Sequence, residues 1–389
     1  METRVRIPDE EYAERIRKAA ERTRQKGFDV LLVNSNEADF ANVRYFSGFW
    51  PLFEIAGVAI SPAGDAALLV GPESGAFAAD VSKIGKIFQM IEYRESADPA
   101  YPELKVSNFR DVFKSLGIQG DRLKIGVGGY LITSIALIEA LKASFPKAEI
   151  VRADDVMVEL RSIKSENELA CLREADRIVE IAMRDVMKVM RPGMTELQLV
   201  GYAQKAVYEN GAEYEGLPMY IFAEEATRRA ISRPSYRVIK KGDIVQLNLS
   251  ARVDGYSPSV GWPVSMGKLE GEKKQVVDFG LEAHRWTHRQ LRAGVKASQV
   301  ARDYIELFKK NGHRDHYVYG PCHGLGMIEV EPPWMETISD YPLAPNMTFQ
   351  VDTFVATSRF GVRWETGIVI TPDGCAPLSE PLGKIYEID

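Results

Sequence analysis

The sequence is poor in the two residue types that build disulfide frameworks and zinc sites. It contains 3 cysteines and 5 histidines among 389 residues. The cysteines, Cys171, Cys322 and Cys375, are odd in number and far apart in the chain. This usage argues against a disulfide framework and a zinc knuckle, and it predicts a reducing, cytoplasmic location.

Two further features are missing, a basic stretch and a long apolar run. The 49 basic and 55 acidic residues give a net charge of -6, and no stretch concentrates the basic ones. We therefore expect no nucleic-acid partner. No apolar run is long enough to cross a bilayer, so we expect no membrane partner either. The chain is 45% hydrophobic, which over this length favours two domain cores rather than one.

Strands alternate with helices over residues 1–153. The sequence predicts an apolar strand at 29–34, an aromatic loop at 42–49, and two further strands at 55–60 and 66–70. Another strand and a helix are predicted later in this stretch. This order is typical of an α/β domain of ordinary size.

A different pattern covers residues 154–389. Ser165 and Glu168 form a capping box that predicts the start of a long helix, and further helices follow. A hairpin and two late strands are predicted at residues 244–266, 348–354 and 361–370. We expect helices on one side of a curved antiparallel sheet, which makes the second domain an α+β domain.

The hairpin carries two polar residues among its apolar ones. Asn248 and Ser259 lie on facing arms of the hairpin, where their side chains can converge. Two carboxylates at these positions would suggest a metal site. An amide and a hydroxyl do not.

Two carboxylates lie inside the late apolar strands. Asp352 and Glu365 are costly to bury unless a cation, a hydrogen-bond donor or a metal compensates them. His323 lies in a loop whose glycines permit a close approach of backbone or substrate. We predict that these three residues share one site. A salt bridge from a carboxylate to Arg363 is the alternative interpretation.

The remaining candidates carry weaker signals. His284 and His288 are spaced i, i+4 on a charged helix, and we interpret them as a solvated face rather than a metal pair. Glu329 and Glu331 follow the His323 loop, and one of them is expected to be solvated. We retain Glu331 as a substrate-binding candidate.

Five motifs occur in an order that resembles the pita-bread family of Xaa-Pro dipeptidases, methionine aminopeptidases and creatinase. They are RPGMTE, RPSYRVIKKGD, the hairpin with its DGY turn, HGLG followed by EPP, and WETGIVIT. The resemblance covers nearly the whole chain. It implies a creatinase N-terminal-like domain over 1–153, a pita-bread catalytic domain over 154–389, and a homodimer.

The resemblance also implies what the site has lost. In the peptidases of this family, two Asp on the hairpin, one His in the HGLG-type loop and two Glu on the last strands hold a dinuclear metal centre. The matching positions here are Asn248, Ser259, His323, Asp352 and Glu365. Two further peptidase histidines fall on Ile231 and Val330. Because two cations need several negative ligands, we expect no dinuclear centre. One histidine and two carboxylates remain, and a single weakly held metal is the alternative that they leave open. Our expectation is a site with no metal and no cofactor.

Creatinase is the member of this family that hydrolyses without a metal. It resembles this chain in its Asn at position 248 and its small residue at position 259. The resemblance implies a metal-independent hydrolase that cleaves a C–N bond in a small nitrogenous substrate, such as an amidine, a cyclic amide or a modified amino acid. Creatine itself is not expected, because creatinase's general-base histidine falls on Ile231 and a substrate-binding glutamate falls on Gly261.

These considerations assign a role to each candidate. We predict His323, Asp352 and Glu365 as catalytic, with Asn248, Ser259, Glu331, Trp262, Trp364 and Arg44 binding the substrate. The tryptophans, with Trp334, would form an aromatic box for a planar or cationic group, or else belong to the core. Arg44 would bind a carboxylate across the dimer, or else lie on the surface.

Three alternative functions remain open at this point. The first is a metal-dependent Xaa-Pro dipeptidase with a reduced site. The second is a non-catalytic binding protein on a peptidase scaffold. The third is a lyase or isomerase that uses the same pocket, since an acid/base pair does not dictate hydrolysis.

Overall fold

The computed structural model describes residues 4–379 and 384–389, which form two compact units. One unit is Ile7–Arg161. The other begins at Ser162 and includes the described residues before Ile7. The domain limits expected from the sequence, 1–153 and 154–389, stay a prediction about which segments fold independently.

The first unit is an α/β layer structure, as the sequence predicted. Its helices are α1 (Asp9–Gln25), α2 (Ala41–Ser47), α3 (Gly75–Val81), α4 (Phe109–Ser115), α5 (Ile135–Ser144) and α6 (Asp154–Ser162). Its strands are β1 (Val30–Ser35), β2 (Ala56–Ile60), β3 (Ala66–Val70), β4 (Ile87–Gln89), β5 (Lys124–Gly128) and β6 (Glu149–Arg152). They form a mixed sheet in the order β4-β3-β2-β1-β5-β6. β1 is buried along its whole length, as its apolar sequence requires.

The second unit combines long helices with a large sheet, as the α+β prediction requires. Its helices are α7 (Glu166–Val189), α8 (Glu196–Glu209), α9 (Gly271–Gln290) and α10 (Ala297–Lys310). Its strands are β7 (Tyr220–Ala223), β8 (Ile244–Ser250), β9 (Ser259–Met266), β10 (Cys322–Gly324), β11 (Glu331–Met335), β12 (Thr348–Ala356), β13 (Gly361–Ile370), β14 (Cys375–Pro377) and β15 (Tyr386–Ile388). The predicted capping box of Ser165 and Glu168 starts α7.

The central strands of this sheet run in the order β11-β10-β12-β13-β9-β8-β7. The pairs β8–β9, β9–β13 and β12–β13 are all antiparallel. β8, β9 and β13 are buried along their whole length. Polar side chains on these strands are therefore removed from water, and they need partners within the protein.

The aromatic segment 42–49 is mostly helical, so the predicted loop is wrong. It forms α2, whose seven residues are all buried, and Gly48 ends the helix with a φ of 71°. Arg44 lies in this helix at 6% exposure, with its guanidinium carbon 5.6 Å from the ring centres of Phe40 and Trp50. The surface location considered for Arg44 is therefore wrong, because neighbouring aromatic rings cover its side chain.

Within the described residues, no helix combines the length and the apolar character that a membrane crossing requires.

Candidate active site

The strand register brings the hairpin and the late strands together in one line across the sheet. Asn248 on β8 pairs with Gly261 on β9, Gly261 pairs with Glu365 on β13, and Glu365 pairs with Asp352 on β12. Directly paired residues point to the same side of a sheet. We call this side the site face. These pairings place Asn248, Glu365 and Asp352 along one line on the site face.

Gly261 is the point in this line at which a side chain is missing. Asn248 Nδ2 donates a 2.6 Å hydrogen bond to Glu365 Oε2. A Cβ atom on Gly261 would lie 2.7 Å from Glu365 Cβ and 2.8 Å from Asn248 Oδ1. No side chain fits there without moving its neighbours, so the glycine permits the bond between Asn248 and Glu365.

Ser259 joins two carboxylates. Its Oγ lies 3.0 Å from Glu329 Oε1 and 3.1 Å from Glu365 Oε1. Gln350 Nε2 donates to the same Oγ at 3.1 Å. Because a hydroxyl has one proton, it can donate to only one of the two carboxylates. The other carboxylate needs a cation or a further proton as its partner.

His323 directs one ring nitrogen toward these carboxylates. Its Nδ1 lies 3.0 Å from the carbonyl oxygen of Gly324, an acceptor, so we assign the proton to Nδ1. Its Nε2 then carries the lone pair, and it lies 3.8 Å from both Glu329 Oε1 and Glu365 Oε1. One ligand atom from each of His323, Glu329 and Glu365 lies within 4.8 Å of the others.

The two carboxylates of this group are electrostatically strained. Glu329 is 7% exposed and Glu365 is 2% exposed. Burial raises the pKa of both, and the negative charges of Asp352 and Glu329 raise the pKa of Glu365 further. Buried carboxylates this close together are stabilised by a shared proton or by a bound cation.

Asp352, which lies beside this group, is engaged by two other partners. Tyr319 Oη donates to its Oδ2 at 2.6 Å, and Arg363 Nε lies 3.4 Å from its Oδ1. The salt bridge that the sequence left as an alternative is therefore present for Asp352. Its shorter side chain is occupied by Arg363 and Tyr319, so we do not count it among the ligands of a cation.

The donor set fits one divalent ion and does not fit two. His323 Nε2 and two buried carboxylates form a compact nitrogen and oxygen donor set. Asn248 Oδ1 is buried and has no hydrogen-bond partner among the described residues, which leaves an oxygen available nearby. A second ion would need further negative ligands, and the hairpin offers only the neutral side chains of Asn248 and Ser259.

The tryptophans predicted to bind substrate are divided between the two faces of the sheet. Trp262 and Trp364 are 1% and 0% exposed, and they pack edge to face at 4.6 Å on the side opposite the site face. Trp262 Nε1 donates to the carbonyl oxygen of Lys384. Both indoles belong to the core, so we do not include them in the proposed site. Trp334 is 46% exposed, and its ring lies 5.7 Å from that of His323.

Glu331 and Glu329 have exchanged the roles that the sequence suggested. Glu331 Oε1 pairs with Lys164 Nζ at 3.2 Å, with both side chains buried. The structure therefore does not place Glu331 as a substrate contact, because an ion pair already engages it. Glu329, which the sequence treated as a weaker candidate, lies with His323 and Glu365 instead. Its position two residues before Glu331 gave no signal to choose between them.

His284 and His288 are not a solvated face, so that interpretation is wrong. His284 is 4% exposed. The two Nε2 atoms lie 3.2 Å apart, and each lies 3.1 Å from Thr366 Oγ1. Thr366 follows Glu365 on β13 and points to the opposite face, so the pair packs beneath the site. The charged residues next to the two histidines in the sequence gave no indication that this side of α9 is buried.

This histidine pair predicts a pH-dependent stability. Burial lowers the pKa of His288 from 6.5 to about 4. A depressed pKa contributes stability above 6.5 that is lost as the pH falls toward 4. We expect the free energy of unfolding to fall by on the order of 3 kcal/mol over that window from this group. Urea unfolding at about pH 8 and about pH 4 measures it.

The matched comparison uses two substitutions on the same helix. His288→Gln is expected to flatten this part of the pH dependence. Arg289→Gln, on the exposed side of α9, is expected to leave it unchanged. Equal pH dependences in the wild type and His288→Gln would contradict the assignment.

Two family profiles match this chain. Metallopeptidase family M24 matches residues 170–372, and the Creatinase/Prolidase N-terminal domain matches residues 15–163. The uncharacterized peptidase YqhT of Bacillus subtilis is 27% identical over 354 residues, which cover 90% of this chain and 93% of that protein. The Xaa-Pro dipeptidase of Pyrococcus furiosus is 24% identical over 341 residues, which cover 87% and 91%.

Solved structures show the same fold. The X-Pro aminopeptidase of Thermotoga maritima superposes with a TM-score of 0.83 at 22% identity, over 97% of this chain and 99% of that one. The prolidase of Pyrococcus horikoshii superposes with a TM-score of 0.80 at 22% identity, over 96% and 99%. The expected creatinase-type N-terminal domain and pita-bread C-terminal domain are confirmed.

The comparisons overturn the leading functional hypothesis. We expected a metal-independent, creatinase-like hydrolase of a non-peptide C–N bond. The matching family is one of metallopeptidases, and its similar relatives include proteins named Xaa-Pro dipeptidase and probable dipeptidase. The hypothesis is therefore wrong on the reaction. It took the loss of two acidic hairpin residues as the loss of the metal, and it treated Glu329 as one of the weaker candidates.

Proposed function

We propose, from the premise that the chain belongs to metallopeptidase family M24, that it is a metal-dependent dipeptidase of the Xaa-Pro type with a single-ion site. The observation that carries this proposal is the buried group of His323, Glu329 and Glu365. The relatives named as Xaa-Pro dipeptidases suggest the substrate class. The reduced site that the sequence left as an alternative thus becomes our main hypothesis.

His323 Nε2 and one oxygen from each of Glu329 and Glu365 would hold the ion. When bound there, a divalent cation supplies Lewis-acid polarisation of a peptide carbonyl. The other residues orient these ligands. The Gly324 carbonyl fixes the His323 tautomer, and Ser259 and Asn248 fix the carboxylate of Glu365. Low exposure of all three ligands keeps bulk water from weakening the electrostatic interactions.

The oligomeric state, the cellular location and the size of the substrate are part of the same proposal. We keep a homodimer in the cytoplasm, acting on a small-molecule substrate, as the expected assembly and location. All three cysteines lie in the described part of the chain and are free thiols, which is consistent with a reducing compartment. Light scattering on the purified protein measures the assembly, and a monomeric mass would refute the dimer.

Metal analysis and peptidase assays test the function together. The protein is purified, stripped with a chelator and reloaded with manganese, zinc, iron or cobalt. We expect one ion per chain, hydrolysis of Xaa-Pro dipeptides only after reloading, and slower hydrolysis of matched Xaa-Ala dipeptides. Failure of every reloaded form to cleave an Xaa-Pro dipeptide would refute the dipeptidase. Two ions per chain would refute the single-ion site.

A further inference from the structure

A second pair of buried carboxylates lies away from the proposed metal site, on the long helix α7. Asp176 and Glu180 are one helical turn apart, so their side chains share a face. They are 3% and 8% exposed. Ser379, which follows β14, places its Oγ 2.6 Å from Asp176 Oδ2 and 2.8 Å from Glu180 Oε1. We call these three residues the clasp, because they join α7 to the C-terminal segment, residues 375–379 and 384–389.

The clasp needs one proton more than Ser379 supplies. A hydroxyl has a single proton, so it can donate to only one of the two carboxylates. With both acids ionised, the other short contact would join two acceptors that have no proton between them. A proton on Asp176 removes this conflict. The Asp176 carboxyl then donates to Ser379 Oγ, and the Ser379 hydroxyl donates to Glu180 Oε1.

Two further contacts place the proton on Asp176 rather than on Glu180. Asp176 Oδ1 is buried and has no hydrogen-bond partner among the described residues, which is less costly for a neutral carboxyl than for an ionised one. Glu180 Oε2 lies 3.7 Å from Arg184 Nη2, and this positive charge favours the ionised form of Glu180.

The electrostatic surroundings agree with this assignment. Burial, with the negative charge of Glu180 as a further cause, raises the pKa of Asp176 from 3.8 to about 7, while hydrogen bonds from Ser379 oppose the rise. β8 and β9 also pack against α7, and neither strand contains an ionisable residue. The charged residues of α8 are engaged elsewhere, Glu196 with the backbone N–H groups of Ala223 and Ser235, and Lys205 with Glu209.

The segment that the clasp holds borders the strand of a proposed metal ligand. β9 and β13 pair directly at Gly261 and Glu365. β14 pairs with β13 beyond Glu365, and β15 pairs with the last residues of β9. Leu378, next to Ser379, donates its backbone N–H to the carbonyl oxygen of Gly367 at 3.0 Å. The C-terminal segment therefore pairs with both strands that meet at Glu365.

We propose that Asp176 keeps a proton inside the clasp, and that loss of this proton releases Ser379 and loosens the C-terminal segment from α7. Two ionised carboxylates one turn apart repel each other, and Ser379 can then satisfy only one of them. The clasp is thus a pH-sensitive attachment. It is independent of the reaction that the protein catalyses.

The sign of the pH dependence follows from the two states of the clasp. When the clasp opens, water reaches Asp176 and its pKa returns to about 4. The closed form therefore binds the proton more tightly than the open form. Opening becomes easier as the pH rises from about 4 to about 7, and it changes little above about 7.

Hydrogen exchange of the whole chain as purified tests the proposal. Exchange is followed by mass spectrometry at about pH 5 and about pH 8, and the rates are corrected for the intrinsic pH dependence of amide exchange. In the wild type, the protection of residues 375–379 is expected to fall on the order of 10- to 100-fold between these two pH values. The amide of Leu378 is the group nearest to the clasp.

Three variants make the result specific to the clasp. Asp176→Asn keeps the shape of the side chain, donates to Ser379 from its amide and does not ionise, so it is expected to retain the protection at pH 8. Ser379→Ala removes the shared hydroxyl and is expected to lose protection at both pH values. Asp185→Asn is the matched control, because Asp185 is an exposed acid of α7 that pairs with Lys188. It is expected to behave as the wild type does.

Two results would overturn the proposal. The first is the same loss of protection with pH in Asp176→Asn as in the wild type, since the asparagine has no proton to lose. The second is a Ser379→Ala protein whose protection and pH dependence equal those of the wild type. If Asp176→Asn does not fold, Ser379→Ala decides the matter, because it opens the clasp without altering either carboxylate.

Discussion

Glu365→Gln is expected to remove the bound metal ion and to lower kcat/KM on an Xaa-Pro dipeptide by at least about 100-fold. Loss of a residue that only orients a metal ligand already costs about 10- to 100-fold, and Glu365 is a proposed ligand itself. Glutamine has nearly the same shape, so the contacts to Asn248 and Ser259 can persist. The charge is what the substitution removes. Metal content and steady-state kinetics measure the two effects.

The same substitution is expected to stabilise the metal-free protein. Burial raises the pKa of Glu365 above 4.5. A raised carboxyl pKa means that this group is harder to ionise in the folded state than in the unfolded state. It therefore makes the metal-free protein less stable as the pH rises above 4.5. The stability difference between Glu365→Gln and the wild type should therefore grow from about pH 5 to about pH 8. Denaturant unfolding in the presence of a chelator measures it.

Glu306→Gln provides the control, because Glu306 is exposed and pairs with the surface residue Lys309. It is expected to change neither metal content nor stability. A Glu365→Gln protein that keeps one ion per chain and wild-type kinetics would show that this carboxylate is not a ligand.

Lys164→Met is expected to destabilise the fold by about 3–5 kcal/mol, the usual cost of breaking a buried ion pair from one side. Lys164 Nζ lies 3.2 Å from Glu331 Oε1, and their side chains are 2% and 3% exposed. Methionine fills similar space but leaves the Glu331 carboxylate buried without that cation. Glu331 Oε1 is also packed so close to Gly326 that a Cβ there would lie 2.2 Å from it. The carboxylate therefore has little room to turn toward water.

A double-mutant cycle separates the pair from the packing. Lys164→Met combined with Glu331→Gln removes both charges, and it should recover a substantial part of the lost stability. Lys309→Met breaks an exposed pair and should have no measurable effect. Denaturant unfolding gives all four free energies. If Lys164→Met alone costs no more than Lys309→Met, the buried pair does not stabilise the fold.

The functional consequence of this pair lies in the loop that carries Glu329. β10 and β11 flank a short connection, and Glu331 at its end is tied to Lys164 and accepts from the backbone N–H of Ile328 at 3.3 Å. Fixing that connection fixes the place of Glu329 next to His323. A residue that does not touch the proposed metal thus determines which carboxylate does.

The loss of the hairpin carboxylates also takes on a different meaning in three dimensions. Asn248 and Ser259 both take part in the hydrogen bonds of the acidic group. Both bind the carboxylate of Glu365, and Ser259 also binds that of Glu329. They are uncharged hydrogen-bond partners of the carboxylates. The missing side chain of Gly261 leaves room for the bond between Asn248 and Glu365.

The sequence pattern alone predicted the structural elements that depend on residues close together in the chain. The capping box of Ser165 and Glu168, the hairpin at 244–266 and the late strands around Asp352 and Glu365 follow from side chains a few residues apart. The order of five short motifs was specific enough to give the family and both domain folds. These features are encoded by periodicity, turns and motif order, all of which the linear chain displays.

Partner choice between distant segments was decided only by the tertiary structure. Lys164 and Glu331 are 167 positions apart in the chain, and nothing local distinguishes Glu331 from Glu329. The same holds for the burial of His284 and for the side of the sheet on which Trp364 lies. The sequence by itself determined that acids and a histidine lie on apolar strands and must be compensated. The packing of remote segments determined which of them meet, because a buried charge takes the partner that folding brings within reach.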